Sequence, residues 1–157
     1  MPHVPAAELL LPARREGRAI AAFNVIGLEH AEAITAGAER AGSPVILAIS
    51  HNCVTWHGAL APIASATLAV ARAATVPVGV HLDHATSADL VAEAITLGID
   101  SVMYDASVLE DAANVAATAE VARAGHAQGA WVEAELGAVG GKDGVHGVVE
   151  GRRVFDQ

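Results

Sequence analysis

The sequence is poor in cysteine, in aromatic residues and in positive charge, and each scarcity excludes a class of protein. A single cysteine, Cys53, rules out an internal disulfide and a zinc site built from several thiolates. Aromatic residues make up 3% of the chain, and 9 basic residues face 18 acidic ones, for a formal charge of −9. Since no row of cations is long enough to neutralise a run of phosphates, we expect no binding to nucleic acid or to an anionic membrane surface.

Long apolar runs and targeting signals are also missing. No stretch reaches the ~20 apolar residues of a membrane span, and the first residues do not have the charged and apolar regions of a signal peptide. The sequence therefore predicts a soluble, cytoplasmic protein. No Gly-x-Gly-x-x-Gly or Gly-Lys-Ser/Thr motif indicates a nucleotide site. The single lysine, Lys142, lies in a Gly-rich segment and lacks the apolar pocket that a Schiff-base lysine needs.

What the sequence does contain is an alternation of β-rich and helical segments, with 53% hydrophobic residues, mainly Ala and Val. Small aliphatic cores of this kind are typical of parallel sheets covered by helices. Pro12 is expected to kink or split the first helix. The predicted strands are 19–25, 44–50, 76–82, 101–105 and 130–136, and the predicted helices are 6–16, 28–41, 60–74, 87–97 and 110–127.

This rhythm predicts an α/β fold with a parallel sheet, and both a doubly wound sheet and a (β/α)8 barrel fit it. Each strand is largely apolar until its last residues, where polar side chains gather. That asymmetry favours a barrel or a large open sheet with one active face. The polar residues at the strand ends are Asn24, Ser50 to Asn52, His81 to His84, Asp105 and Glu135.

The tetrad His81-Leu82-Asp83-His84 closes a wholly apolar strand and is the most informative motif. His81 and Asp83 are expected on one side of the strand, and His84 where the strand gives way to a loop. Neutral imidazole is the commonest protein ligand of transition metals, and a neighbouring carboxylate can orient a ligand, bind the metal or move a proton. We favour a functional site over a strand end with solvated polar side chains.

Three other groups have two readings each. Glu133 and Glu135 are expected to point to one side of the fifth strand, either into a site or as the solvated face of an edge strand. Asp105 fits a helix cap almost as well as a position near a metal. Residues 50–52 fit a turn as well as a site for a phosphate or a hydroxylated substrate.

In five blocks the chain resembles the class II, zinc-dependent fructose-bisphosphate and tagatose-bisphosphate aldolases. This resemblance implies a (β/α)8 TIM barrel truncated to about five β/α units. Residues 1–157 are then expected to form one partial barrel domain without its C-terminal strands. The matching blocks are 22–25, 44–47, 76–84, 101–107 and 132–137 with the Gly140-Gly141 pair.

The resemblance also assigns a metal site and a proton-transferring group. The residue that matches His84 binds the catalytic Zn²⁺, and carboxylates that match Asp105 and Glu135 are associated with a second divalent metal position. The residue that matches Asp83 exchanges the proton of the cleaved hydroxyl. The zinc ion stabilises the charge that develops on the ketone fragment as a Lewis acid.

Substrate contacts and the base follow less directly from the resemblance. Ser50 and Asn24 are assigned to substrate binding, Ser50 near a phosphate. Many family members carry Glu-Glu-Asp after the Gly-Gly pair, and one of these Glu residues is the base. Here Lys142-Asp143 follows, one residue shorter, so Asp143 is the candidate base.

The expected function is that of an aldehyde-lyase of carbohydrate metabolism and glycolysis. It would reversibly cleave a ketose 1,6-bisphosphate to dihydroxyacetone phosphate and an aldehyde, and the full-length parent would be a homodimer or homotetramer. We expect the 157-residue chain alone to be inactive, because the family's other two zinc-binding histidines lie on later strands. The alternatives are an inactive remnant or interaction module, and a metal-dependent barrel lyase acting on another phosphorylated sugar.

Overall fold

The computed structural model describes residues 3–137, which form five strands and six helices. The elements lie close to the predicted positions, with most boundaries moved by one to three residues. The strands are β1 (Ala22–Asn24), β2 (Val45–Ser50), β3 (Val78–Ala85), β4 (Ser101–Tyr104) and β5 (Trp131–Ala134). The helices are α1 (Ala6–Arg15), α2 (Leu28–Ala41), α3 (His51–His57), α4 (Leu60–Ala73), α5 (Ala88–Leu97) and α6 (Asp111–His126).

The five strands form one parallel sheet in the order β1-β2-β3-β4-β5. A doubly wound sheet reverses its strand order at a switch point, whereas a barrel adds each strand next to the previous one. The observed order therefore matches consecutive units of a barrel. The prediction of an α/β fold built from barrel-type units is confirmed.

The core lies between the sheet and a layer of helices in which α2 contacts α4, α4 contacts α5 and α5 contacts α6. Branched aliphatic side chains from the three central strands fill it, as the composition predicts. Burying each such side chain stabilises the fold by about 1.5–3 kcal/mol before the entropy cost of ordering it. Completely buried examples are Leu47, Ile49, Val80, Leu82 and Val102.

Helix α1 covers the N-terminal end of the central strand β3. His3 bridges to Val78, and the Val4 amide donates to the Val78 carbonyl at 3.0 Å. A side chain at Gly79 would lie 3.2 Å from the Leu9 side chain, so glycine permits this close packing. Pro12 lies inside α1, which continues to Arg15, so the predicted split of this helix was wrong.

Helix α3 is the element that the sequence did not predict. Of the two readings of residues 50–52, the turn is wrong, because Ser50 caps a seven-residue helix by accepting a hydrogen bond from the Cys53 amide at 3.1 Å. Gly58, with φ of 79°, ends it. The predicted boundaries of α5 are confirmed by the same devices, since Ser87 caps its start and Gly98, with φ of 95°, its end.

Among residues 3–137, no single helix is long and apolar enough to cross a membrane. Helices α3 and α4 taken together have the length and apolar composition of a membrane span, but they are bent by 116° at the break between them.

Gly125 in α6 gives a test of the helix layer. A methyl group there would lie 2.7 Å from Val132 Cγ2, whereas a methyl group at Gly37 in α2 meets nothing closer than 3.9 Å. We expect Gly125→Ala to lower the free energy of unfolding by about 1–3 kcal/mol through overpacking. Gly37→Ala, the matched control, should raise it by about 0.5–1 kcal/mol through helix propensity. Urea unfolding measures both, and equal effects would contradict this packing.

Candidate metal centre

The candidate site begins at an irregularity in β3. Between Leu82 and Ala85 the register with β4 shifts, so that three steps along β3 match two steps along β4 from Val102 to Tyr104. Within this bulge His84 has a φ of 53°, in the left-handed region that non-glycine residues rarely adopt. The expected change from strand to loop at His84 is therefore a bulge inside a longer strand.

The bulge brings His84 against two buried carboxylates. Its Nδ1 lies 2.9 Å from Glu135 Oε2 and 3.0 Å from Asp105 Oδ2. Asp105 and Glu135 are 5% and 7% exposed, although each follows directly on a strand end. The structure thus brings together the three residues that the resemblance assigned to metal binding, His84 to the zinc ion and the two carboxylates to a second metal position.

These three residues fit a divalent metal ion. They offer one imidazole nitrogen and two carboxylate oxygens, all within 4.8 Å of one another. Ligand atoms about 2.1 Å from one ion lie about 3.0 Å apart at right angles and about 3.4 Å apart at the tetrahedral angle. The atoms around His84 Nδ1 are therefore spaced closely enough to share one ion, and imidazole with carboxylate is a donor set that suits Zn²⁺.

Asp105 is fixed by the turn that follows β4. Its Oδ1 accepts from the Ser107 amide at 3.1 Å and from the Ser107 hydroxyl at 2.6 Å, while Oδ2 faces His84. The helix-cap reading of Asp105 is therefore wrong, because this carboxylate caps the turn after β4, and its position near a metal stays a prediction. Its backbone partner lies in the loop and not in α6, which begins at Asp111.

Glu135 is fixed from α6 by a residue that the sequence analysis missed. The buried Asn114 donates from Nδ2 to the Glu135 carbonyl at 2.9 Å, and Thr118 donates to Asn114 Oδ1 at 3.0 Å. The signal available in the sequence was the i, i+4 pairing of two polar residues on α6. Their role depends on a contact across 21 residues, which spacing alone does not reveal.

Asp83 lies beside this cluster and is the more accessible carboxylate. Its side chain is 25% exposed, and Oδ1 lies 3.7 Å from His84 Nε2 and 3.9 Å from His81 Nε2. In the β2–β3 register it stands opposite Ser50. A partly solvated carboxylate next to a candidate metal-binding residue is accessible enough to exchange a proton with a bound molecule.

His81 and Glu133 line the inner face of the sheet below Asp83, which confirms that His81 and Asp83 share one side of β3. His81 Nδ1 lies 2.8 Å from Ser101 Oγ, and Nε2 lies 4.0 Å from Glu133 Oε2. Burial lowers the pKa of His81 below its ordinary value, so its neutral form is favoured. Burial, and then the charge of Asp83, raises the pKa of Glu133.

The remaining predicted residues are more dispersed. Asn24 lines the same inner face as His81, whereas Ser50 lines a cleft of about 290 Å³ beside His84 and Asp105. Asp143, the candidate base, lies outside the described residues. Cys53 is buried and its pKa is raised by burial, in keeping with an inert thiol.

The class-II fructose-bisphosphate aldolase family profile matches residues 4–155, which is nearly the whole chain. The chain belongs to this family. Its resemblance to these enzymes, predicted from the five sequence blocks, is confirmed. The family is metal-dependent, which agrees with the cluster of His84, Asp105 and Glu135.

Two curated relatives from Bacillus subtilis illustrate the range of named activities. A probable fructose-bisphosphate aldolase is 41% identical over 145 residues, covering 91% of this chain and 51% of that protein. A 6-phospho-5-dehydro-2-deoxy-D-gluconate aldolase is 42% identical over 158 residues, covering 99% of this chain and 54% of that protein. The chain therefore spans about half the length of the curated relatives it matches.

Solved structures give the same picture. The YdjI aldolase from Escherichia coli K12 superposes with a TM-score of 0.79 at 33% identity, covering 86% of this chain and 52% of that one. Fructose-bisphosphate aldolase from Campylobacter jejuni superposes with a TM-score of 0.70 at 27% identity, covering 89% and 48%. The fold of the described residues is that of about half of a class II aldolase.

The left-handed backbone of His84 predicts an unusual order of variant stabilities. Alanine in this conformation costs about 1–2 kcal/mol, whereas glycine adopts it freely. His84→Gly should therefore unfold with a free energy about 1 kcal/mol higher than His84→Ala, although glycine loses more chain entropy. Urea unfolding of the two variants checks this. A less stable glycine variant would show that residue 84 has an ordinary strand conformation.

The lowered pKa of His81 predicts a loss of stability in mild acid. Unfolded His81 takes up a proton below its ordinary value of 6.5, and folded His81 resists it, so this group favours unfolding as pH falls through that value. Unfolding free energies measured from neutral pH to about pH 5 should fall less steeply for His81→Gln than for the parent. His126→Gln, which changes an exposed ring on α6, should keep the parent's slope. An unchanged slope for His81→Gln would contradict the burial argument.

Proposed function

We propose that this chain carries the metal-binding and proton-transferring half of a class II ketose-bisphosphate aldolase. The observation that carries the proposal is the convergence of His84 Nδ1 with Glu135 and Asp105 at 2.9 and 3.0 Å, next to Asp83. These groups lie at the C-terminal ends of β3, β4 and β5, which is the end where barrels of this kind place their chemistry. The reaction would be reversible aldol cleavage of a phosphorylated sugar.

His84, Asp105 and Glu135 would hold a divalent ion, for which we propose Zn²⁺. When bound, such an ion supplies Lewis-acid polarisation of the ketone and hydroxyl oxygens. The chain's own contribution is to fix the three donors: Ser107 orients Asp105, and Asn114 anchors the backbone of Glu135. In other metalloproteins, removal of an orienting group of this kind typically lowers metal affinity by about 10- to 100-fold.

Asp83 would exchange the proton of the hydroxyl at the cleaved bond. In the cleavage direction its carboxylate accepts the hydroxyl proton as the carbon–carbon bond breaks and the aldehyde forms. In the condensation direction the carboxylic acid returns that proton to the aldehyde oxygen. Asp143 remains the proposed base at the other fragment, and Asn24 and Ser50 remain proposed substrate contacts.

Two substrates are candidates, because two kinds of relative match equally well. Fructose 1,6-bisphosphate follows from the first relative, and 6-phospho-5-dehydro-2-deoxy-D-gluconate from the second. Both are phosphorylated sugars, and both would need the metal cluster and Asp83. Cleavage rates with each compound decide between them. If fructose 1,6-bisphosphate is the substrate, we also propose a role in glycolysis and a cytoplasmic location.

We also propose that residues 1–157 form a partial barrel domain that needs further β/α units for activity, and that the complete enzyme is a homodimer or homotetramer. Fusing this chain to the C-terminal half of the first B. subtilis relative should give metal-dependent cleavage of fructose 1,6-bisphosphate, whereas the chain alone should give none. Light scattering of the fusion reports its oligomeric state. Zinc-dependent cleavage by the 157-residue chain alone would overturn the partial-domain proposal.

Metal binding can be tested on the chain itself. Calorimetric titration with Zn²⁺, Mn²⁺ and Mg²⁺ should give the tightest binding for Zn²⁺. Asn114→Ala should weaken it by about tenfold, and Glu135→Gln by more, because one removes an anchor and the other a ligand. Asp89→Asn, on the exposed face of α5, is the matched control and should bind like the parent. Unchanged affinity in Glu135→Gln would remove this residue from the site.

Asp83 can be separated from the metal ligands by its effect on catalysis. In the fusion protein, Asp83→Asn should lower the rate of cleavage by about 100- to 10,000-fold while metal content stays at the parent level. Metal analysis and a steady-state assay on the same sample check both parts. A variant that cleaves at the parent rate would exclude Asp83 as the proton-transferring group.

A further inference from the structure

The cleft beside the metal cluster has a wall that the proposed mechanism does not use. Besides His84 and Asp105, its lining comprises Thr86, directly after β3, and four residues at or just before the start of α3: Ser50, His51, Asn52 and Thr55. In the part of the chain that the structure describes, the lining residues on this side carry hydroxyl, amide and imidazole groups and include no lysine or arginine. This wall is therefore suited to hydrogen bonding with an uncharged, oxygen-rich group.

Within this wall the imidazole of His51 is held in one orientation by Thr86. The Thr86 amide lies 3.2 Å from His51 Nδ1, and the Thr86 hydroxyl lies 3.1 Å from the same atom. Because a backbone N–H can only donate, Nδ1 must be the acceptor and carry no hydrogen. In the neutral ring the hydrogen then sits on Nε2, so the group left for a ligand is an N–H donor.

The hydroxyls of Ser50 and Thr55 in the wall each make a hydrogen bond to the backbone of α3. Ser50 Oγ accepts from the Cys53 amide at 3.1 Å, and Thr55 donates to the His51 carbonyl at 3.1 Å. The His51 ring is instead fixed from a different element, across 35 residues of chain. A donor fixed before the ligand arrives loses little conformational entropy on binding, which makes it an effective selector.

We propose that His51 is a substrate-binding residue whose Nε2–H donates to a hydroxyl oxygen of the aldehyde half of the substrate. The inference rests on the proposed function: if the ketone half binds at the metal cluster, the other half of the cleaved bond lies beside it and near Asp83. The cleft adjoins the cluster, and Ser50, which pairs in register with Asp83, lines it. Among residues 3–137, the absence of cations from the cleft lining favours a hydroxyl group over a phosphate. His51 would then help to select sugars by a hydroxyl near the aldehyde carbon.

The test uses the 157-residue chain labelled with ¹⁵N at histidine, followed by long-range proton–nitrogen NMR. We expect His51 to carry its hydrogen on Nε2, and D-glyceraldehyde to shift that resonance. Propanal, which has no hydroxyl groups, and inorganic phosphate should leave it in place. His51→Phe should weaken glyceraldehyde binding by about five- to tenfold, the effect of one hydrogen bond.

Two further variants keep the outcome interpretable. His51→Gln carries an amide N–H at the end of its side chain and should recover part of the loss, while His126→Phe on α6 should bind like the parent. A hydrogen on Nδ1 in the parent, a response to phosphate alone, or full binding by His51→Phe would overturn the inference. If the resonance responds to glyceraldehyde but the fusion protein neither binds metal nor cleaves sugars, the proposed function fails and the cleft assignment stands.

Discussion

The site depends on a break in the backbone of β3. In a regular strand Asp83 and His84 would point to opposite faces of the sheet, and one of them would enter the apolar layer between sheet and helices. The extra residue before Ala85 and the left-handed φ of His84 instead bring the side chains of Asp83 and His84 together at the C-terminal end of the sheet. Such a conformation costs about 1–2 kcal/mol, and pairing of β3 on both sides holds it in place.

The electrostatics of the cluster follow from where the neighbouring strands end. Asp105 and Glu135 come directly after β4 and β5, where loop residues are usually exposed to solvent. Both residues are nevertheless less than one-tenth exposed. Burying two negative charges is unfavourable unless hydrogen bonds and positive charge offset it. Ser107 supplies two hydrogen bonds to one of them, and a divalent ion between the two would supply the charge.

Much of this arrangement could be predicted from local patterns. Alternating β-rich and helical segments located the strands, and the rule that barrel chemistry lies at strand C-termini singled out the polar residues there. The assignment of His84, Asp105 and Glu135 to metal binding came from the resemblance to class II aldolases. The choice between a doubly wound sheet and a barrel could not be made, because strand order is a tertiary property. Neither the bulge nor α3 has a strong local signal, since residue 84 is not glycine and a seven-residue helix is too short to show periodicity. Asn114 was missed because its partner is distant in the chain.

The three residues of the cluster are not held equally firmly. His84 comes from the centre of the sheet, whereas Glu135 follows β5, which in the part of the chain that the structure describes pairs only with β4. Edge strands fray more readily than central ones. Opening of β5 would therefore displace Glu135 and leave His84 and Asp105 in position. By thermodynamic linkage, any polypeptide that pairs with β5 would raise the affinity of the cluster for an ion. A bound ion would in turn favour that pairing. If the cluster binds an ion and further strands extend the sheet at β5, strand pairing and ion binding would be coupled through Glu135.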